Sequence, residues 1–189
     1  MSRNNKTLYS IVAVGLMAAM VFVCTMFLGF KIVTPTGTTM LKTANAICLL
    51  AGLLFGGVRG GLAAGFGSAI FDLTYPEYVA GAPITFVLFF VMGFVCGTIA
   101  HWNVKKAPSV PRTVTACICG ALSYTLLYIG KSVLTLVLAG SALLPAVIAT
   151  APKMVTSLLN AIFAVVVASI LATILRPRLE KAGLMKKFE

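Results

Sequence analysis

The sequence of 189 residues is dominated by apolar side chains: 60% of the residues are apolar and only 10% are charged. Soluble domains carry about 25% charged residues, so this composition and a mean hydropathy of +1.04 exclude an ordinary globular domain, a disordered chain and a fibrous repeat. A polytopic membrane protein remains. Because a helical span takes about 20 apolar residues, six spans would leave no room for a sizeable soluble catalytic domain.

The charges favour one side of a membrane. The formal net charge is +11, from 15 Lys and Arg residues against 4 Asp and Glu residues. Most basic residues lie at the chain ends or in short connections, as Arg59, Lys105, Lys106 and Arg112 do. Basic loops of this kind stay on the cytoplasmic side. We therefore interpret the excess charge as a topology signal and not as a nucleic-acid-binding surface.

We expect a single integral membrane domain over residues 1–189, an all-α protein with six transmembrane helices and both termini cytoplasmic. An even number of spans returns the chain to the side on which it began. The predicted helices cover residues 8–30, 44–57, 60–73, 83–102, 114–138 and 146–175.

The first apolar run, residues 8–30, follows Arg3 and Lys6. It is too long for a secretory signal and ends without a cleavage site of small residues, so we expect a retained helix. Residues 31–43 come next and are rich in threonine, which predicts a polar loop on the outer side.

Glycines separate the second and third predicted helices, both of which are short for a full span. Residues 56–61 read Gly-Gly-Val-Arg-Gly-Gly, and glycines recur at intervals of four at Gly57, Gly61 and Gly65. Small residues at this spacing let helix backbones approach closely in lipid. The pattern predicts a tight cytoplasmic hairpin of two closely packed helices.

Prolines mark the later boundaries. The polar, aromatic residues 72–82 precede Pro83, which opens the fourth helix at a position that favours proline. His101 and Trp102 at the far end of this helix are interpreted as interfacial residues. A turn is expected at 140–145, and Pro177 between two arginines is expected to end the sixth helix.

Catalytic signatures are missing from the sequence. It has no Ser-His-Asp arrangement worth proposing, no His-Glu-x-x-His and no P-loop. The five cysteines lie in apolar stretches without disulfide or zinc spacing, so they are interpreted as small buried residues. We expect no enzyme, no metal and no cofactor in this chain. If ATP drives transport, the ATPase is another polypeptide.

Two lysines fall within predicted spans, at Lys131 and Lys153. An intramembrane charge is costly, so it usually faces a cavity and marks function. Tyr124 and Tyr128 precede Lys131 on one helix face, and Asn160 follows Lys153 on one face. Two neighbouring antiparallel helices thus predict a compact pocket open to the exterior, with aromatic rings to stack on a small ring and ammonium groups for an anionic or strongly polar substituent.

The loop that contains Tyr75, Glu77 and Tyr78 is expected to cover this pocket together with residues 31–43. The alternative is that both lysines only extend to the outer interface, in which case the pocket would lie nearer Asn45 and the loop. The predicted ligand-binding residues are Tyr124, Tyr128, Lys131, Lys153, Asn160, Asn45, Tyr75 and Tyr78.

Three segments carry a family resemblance: residues 56–72 (GGVRGGLAAGFGSAIFD), residues 82–86 (APITF) and the Met92-Gly93-x-x-x-Gly97 motif. They resemble the substrate-binding S components of energy-coupling factor (ECF) vitamin transporters. The most similar group is the one assigned to pyridoxine and hydroxymethylpyrimidine uptake. The size, the six helices and the glycine-rich hairpin are similar as well.

This resemblance implies a subunit in a prokaryotic cell membrane that binds a vitamin or vitamin precursor with high affinity. It would work with a transmembrane coupling protein and two ATPase subunits that use ATP. The family also has a pattern of small residues on the first helix that docks the coupling protein. Gly15 and Ala19, with Ala18 beside them, match that pattern.

A self-sufficient secondary transporter, driven by protons or sodium, is the alternative. Such a protein needs a coupling-ion site, commonly an intramembrane carboxylate, and often has inverted repeats. Asp72 at an outer helix end is the one candidate carboxylate, and no repeat is visible in the sequence.

Overall fold

The computed structural model describes residues 3–34, 37–102 and 108–181, with side chains for 8–29, 43–102 and 108–181. These residues form six α-helices, a two-stranded hairpin and one 3-10 turn. The helices and strands are α1 (Arg3–Phe27), β1 (Gly29–Thr34), β2 (Gly37–Lys42), α2 (Ala44–Phe55), α3 (Gly57–Leu73), α4 (Ala82–His101), α5 (Val110–Leu138) and α6 (Leu143–Lys181), with the 3-10 turn at Val79–Gly81.

The number of helices agrees with the expectation from hydropathy. Segments of α1, α5 and α6, and α4 with its preceding 3-10 turn, are long and apolar enough to cross a membrane. The helices α2 and α3 have 12 and 17 residues, which at about 1.5 Å per residue is less than a hydrocarbon core of about 30 Å. Full crossing by these two helices and the cytoplasmic location of both termini stay predictions.

A β-hairpin replaces the polar loop expected at 31–43. The strands β1 and β2 are antiparallel, with Gly29 opposite Lys42 and Thr34 opposite Gly37. Both strands are rich in β-branched residues, which fit extended backbone. The hydroxyl of Thr43 donates to the carbonyl of Leu28 over 3.0 Å and so closes the base of the hairpin. The hairpin lies against α6 through β2.

The expected end of the sixth helix at Pro177 is wrong. The helix α6 continues through Pro177 to Lys181. Its last turn is stabilised by an ion pair between Arg176 and Glu180 (Nε to Oε1, 3.4 Å) and by Leu179, which packs against the core. The turn expected at 140–145 is also shorter, because Pro145 belongs to the first turn of α6, where a missing N–H costs little.

Glycine contacts join α2, α3 and α4 at unusually short distances. A Cβ on Gly60 would lie 2.6 Å from the backbone nitrogen of Gly52, and one on Gly97 would lie 2.5 Å from the nitrogen of Gly57. On the surface of α3 that contains Gly57, the residues Gly61 and Gly65 lie against phenylalanine rings of α4. The expected close packing of the helical hairpin formed by α2 and α3 is therefore confirmed, and α4 packs closely against the same two helices.

Replacing Gly60 by alanine should destabilise the protein by more than about 1–3 kcal/mol, the usual cost of overpacking, since the new methyl group meets backbone atoms that have no rotamer to escape to. The control is Gly15→Ala, because a Cβ there meets nothing within 4 Å and alanine favours helix over glycine. Thermal unfolding in detergent measures both. Equal midpoint temperatures of unfolding for the two variants would show that α2 and α3 can move apart to accommodate the added methyl group at little cost in stability.

Candidate functional site

A cavity of about 380 Å³ lies between α3, α4, α5 and α6. Ligand-binding pockets commonly measure about 300–1,000 Å³, so the cavity has room for a small organic molecule. Its lining residues are Asp72, Glu77, Tyr78, Gly81, Thr85, Leu88, Phe89, Tyr124, Tyr128, Lys131, Ser132, Thr135, Leu136, Lys153, Ser157 and Asn160.

Aromatic rings form one wall of the cavity. Tyr124 and Tyr128, one turn apart on α5, are stacked with ring centroids 5.8 Å apart and an interplanar angle of 7°. Phe89 of α4 packs against Tyr124 with centroids 4.7 Å apart. Phe89 is almost fully buried, so the wall is held firmly. Such a surface can stack on a planar ring.

The facing positions of α5 and α6 follow one antiparallel register. Ser157 of α6 donates a hydrogen bond to Thr125 of α5 over 3.2 Å. Lys153 lies one turn from Ser157 on α6, and Lys131 lies between one and two turns from Thr125 on α5. Both lysines reach the cavity, and they are close enough to interact electrostatically. We name the region around Phe89, Tyr124 and Asn160 the aromatic end of the cavity, and the region around Lys131 and Lys153 the lysine end.

The loop before α4 also contributes to the site. Glu77 and Tyr78 line the cavity, and the ammonium of Lys131 lies 3.9 Å from where a Cβ on Gly81 would be. Tyr75 does not line the cavity. Its ring packs between Phe71 (5.0 Å) and Tyr78 (6.3 Å) and supports the loop from behind.

Six of the eight predicted ligand-binding residues line this one cavity, namely Tyr78, Tyr124, Tyr128, Lys131, Lys153 and Asn160. Asn45, like Tyr75, is not among the lining residues. It lies on α2, is only 2% exposed, and its amide oxygen has no hydrogen-bond partner among the described residues. Whether the six residues bind a ligand stays a prediction.

Sequence reasoning missed the contribution of α3 and α4 to the site. Asp72, in the last turn of α3, lines the cavity although it is only 5% exposed. The signal available in the sequence was a carboxylate at the end of an apolar helix, since an ionisable residue within a membrane-spanning segment usually has a functional role. Thr85, Leu88 and Phe89 of α4 gave no comparable signal.

The predicted docking residues on α1 divide into two groups. Gly15 and Ala19 are exposed, and a Cβ on Gly15 would meet nothing within 4 Å. Ala18 is buried, and its carbonyl oxygen lies 2.5 Å from where a Cβ on Gly67 of α3 would be. The side chain of Ala18 therefore faces the interior of this protein, and the docking of a partner by Gly15, Ala18 and Ala19 stays a prediction.

The other end of the bundle is held by basic side chains. Arg112 of α5 donates to the carbonyls of Ile99 (3.0 Å) and Trp102, at the end of α4. His101 bonds to the carbonyl of Gly97 through Nδ1 (2.9 Å), while Trp102 is exposed as an interfacial anchor would be. In the part of the chain that the structure describes, no group of three His, Cys, Asp or Glu residues could hold a metal ion.

Comparisons with known proteins give a family and a fold. A family model described as "ECF-type riboflavin transporter, S component" matches residues 5–177. A solved structure described as "Structure and mechanism of the S component of a bacterial ECF transporter" superposes with a TM-score of 0.56 at 21% identity, over 91% of this chain and 95% of that chain. At this identity the superposition shows a shared fold. No curated protein sequence matches the chain.

Proposed function

Because the chain belongs to the family of ECF-type riboflavin transporter S components, we propose that it binds riboflavin in the cavity between α3, α4, α5 and α6. Members of this family are integral membrane proteins and transport components, and the chain is accordingly a membrane substrate-binding subunit of vitamin uptake. The identity of the vitamin and the partners are the proposed part.

The composition of the cavity supports a flavin. The stacked tyrosines and Phe89 offer a flat apolar wall to a planar three-ring system. Lys131, Lys153 and Asn160 can hydrogen-bond to ring carbonyls and to a hydroxylated side chain. This combination of one aromatic wall and several polar groups is the observation that carries the proposal.

Charge and size favour riboflavin over smaller or charged vitamins. The two lysines are matched by Asp72 and Glu77 in the same lining, and such a balanced site suits a ligand without net charge, as riboflavin is at neutral pH. A cavity of about 380 Å³ would leave much space to water around a single pyridine or pyrimidine ring. The pyridoxine and hydroxymethylpyrimidine group suggested by the sequence resemblance stays the competing prediction.

Transport itself requires partners in this proposal. The chain would bind the vitamin from outside with high affinity and then associate with a transmembrane coupling protein and two ATPase subunits, which hydrolyse ATP. One observation favours the alternative of an ion-coupled secondary transporter, namely that the buried carboxylate of Asp72 faces the cavity. Concentrative uptake by cells that express this chain without any coupling protein would support that alternative.

We expect the purified protein to quench the fluorescence of riboflavin in a saturable titration, because the isoalloxazine ring would stack on tyrosine. Pyridoxine and hydroxymethylpyrimidine, added in excess, should not displace it. Displacement by either compound at lower concentration than riboflavin itself would assign the protein to the competing group. The absence of saturable quenching would contradict the flavin proposal.

A further inference from the structure

We propose that a second cavity, between the end of α4 and the start of α5, binds the headgroup of an anionic phospholipid. We name it the interfacial cavity. It measures about 490 Å³ and is lined by Ile99, Trp102, Ser109, Pro111, Arg112 and Thr115. It shares no lining residue with the cavity proposed for the vitamin. Binding of a lipid there therefore does not depend on which vitamin the protein binds.

The interfacial cavity lies at the depth of a membrane surface. The helix α4 has 20 residues without a Lys, Arg, Asp or Glu, and at about 1.5 Å per residue it matches a hydrocarbon core of about 30 Å. Directly after α4, Trp102 is 70% exposed, as expected of an interfacial residue. On α5, Thr115 precedes Tyr124 of the vitamin cavity by nine residues, or about 14 Å. In a bilayer, phospholipids are the molecules that surround an exposed cavity at this depth.

The polar groups of the interfacial cavity favour an anion. Arg112 contributes a guanidinium group, which stays positively charged, and the lining contains no carboxylate. The indole of Trp102 can only donate a hydrogen bond, and the hydroxyl of Ser109 makes no capping bond to α5. A phosphate diester brings acceptor oxygens and a negative charge. Basic pockets between membrane helices are known to bind such headgroups.

The guanidinium group of Arg112 is held in place by α4. Its Nε donates to the carbonyl of Ile99 over 3.0 Å, and a terminal nitrogen donates to the carbonyl of Trp102. These bonds use only part of the N–H donors of the group. An arginine that is already fixed in this way loses little freedom when it binds a ligand. Its other donors suit phosphate oxygens, which arginine binds well.

The apolar surface beside the guanidinium favours a lipid over a soluble phosphate. Ile99 and Pro111 are part of the lining. Ile118 follows Thr115 by one turn on the same helix face and is exposed. A phospholipid with its headgroup in the interfacial cavity would cover this face with an acyl chain, whereas a soluble phosphate ester would leave it uncovered.

The test is native mass spectrometry of the full-length protein in detergent, with dioleoylphosphatidylglycerol or dioleoylphosphatidylcholine added. The first phosphatidylglycerol should bind about 5- to 10-fold more tightly than phosphatidylcholine, as expected for one half-buried cation at a membrane surface. Arg112→Gln should remove this preference. Thr115→Phe should remove it as well, because the ring fills the cavity while Arg112 stays. The hydroxyl of Thr115 bonds only to carbonyls of its own helix (3.1 and 3.0 Å), so the fold should tolerate this change.

Two matched controls lie on α6 near the same end of the bundle. A terminal nitrogen of Arg176 lies 3.5 Å from Nε2 of His101, so the end of α6 is beside the end of α4. Thr173→Phe changes an exposed threonine whose hydroxyl likewise bonds to a carbonyl of its own helix. Arg178→Gln removes a charge from an exposed side chain. Neither residue lines the interfacial cavity, so both variants should keep the preference. Thermal unfolding shows whether all four variants are folded.

Each other outcome overturns the assignment of a lipid site. If wild-type protein does not prefer phosphatidylglycerol, or if Thr115→Phe keeps the preference, the cavity is not the site. An equal loss in Arg178→Gln would show diffuse attraction of the basic surface. Displacement of the lipid by an equal concentration of glycerol 3-phosphate would assign the cavity to a soluble phosphate ester. A dimer that Thr115→Phe abolishes would assign it to a second copy of this chain. If Arg112→Gln does not fold, Thr115→Phe decides the matter.

Discussion

Replacing Gly15 and Ala19 together by leucine should abolish ATP-driven uptake while leaving flavin binding and stability almost unchanged. Both residues are exposed on α1, and a Cβ on Gly15 meets nothing within this chain. In the isolated subunit the added side chains would only touch lipid. A partner helix that packs on small residues, however, needs close approach of the two backbones, and leucine prevents it.

Uptake of labelled riboflavin by cells that co-express the coupling protein and ATPases is the measurement. Fluorescence titration of the same purified variant gives the binding affinity. Gly130→Leu is the matched control, since Gly130 is an exposed glycine on α5 with nothing within 4 Å of a Cβ, and its uptake should remain. Normal uptake by the Gly15 and Ala19 double variant, or a parallel loss of binding, would refute the docking assignment.

The helices and their close packing could be predicted because their signals are local. Apolar runs of sufficient length marked the helices, and the glycines four residues apart, Gly57, Gly61 and Gly65, marked a closely packed face of α3, which lies against α4. The contact of α3 with α2 is made by Gly60, which is outside that pattern. Proline was a poorer guide. Pro177 lies within α6, because tertiary packing of Leu179 and the pair of Arg176 with Glu180 compensate in its last turn.

From the sequence, only the part of the site that lies on α5 and α6 could be predicted. On α5 and α6, polar residues on an apolar background share one face, and that pattern correctly grouped Lys131 with Lys153. On α4, Phe89 faces the cavity and Phe94 is an exposed hydrophobic residue. Residue type does not distinguish the two phenylalanines. Which face of α4 meets α5 is decided by the glycine contacts with α2 and α3, and these are visible only in three dimensions.

The lysine end of the cavity should account for much of the ligand affinity. Lys131 and Lys153 lie on neighbouring helices and face the same cavity, where two ammonium groups repel each other in the absence of a ligand. Acceptors of the ligand would relieve this repulsion. A hydrogen bond to a charged group contributes about 1.5–3 kcal/mol, which corresponds to about 10- to 150-fold in affinity.

We therefore expect Lys131→Met and Lys153→Met each to weaken riboflavin binding about 10- to 150-fold. The ligand-free variants should unfold at the same or a higher temperature, because methionine keeps much of the apolar stem and removes a charge from a membrane protein. Lys181→Met, at the exposed end of α6, is the control and should bind as the wild type does. Unchanged affinity in both cavity variants would mean that the lysines only extend to the membrane surface, and the polar contacts of the ligand would then come from Asn160, Ser157 and Asp72.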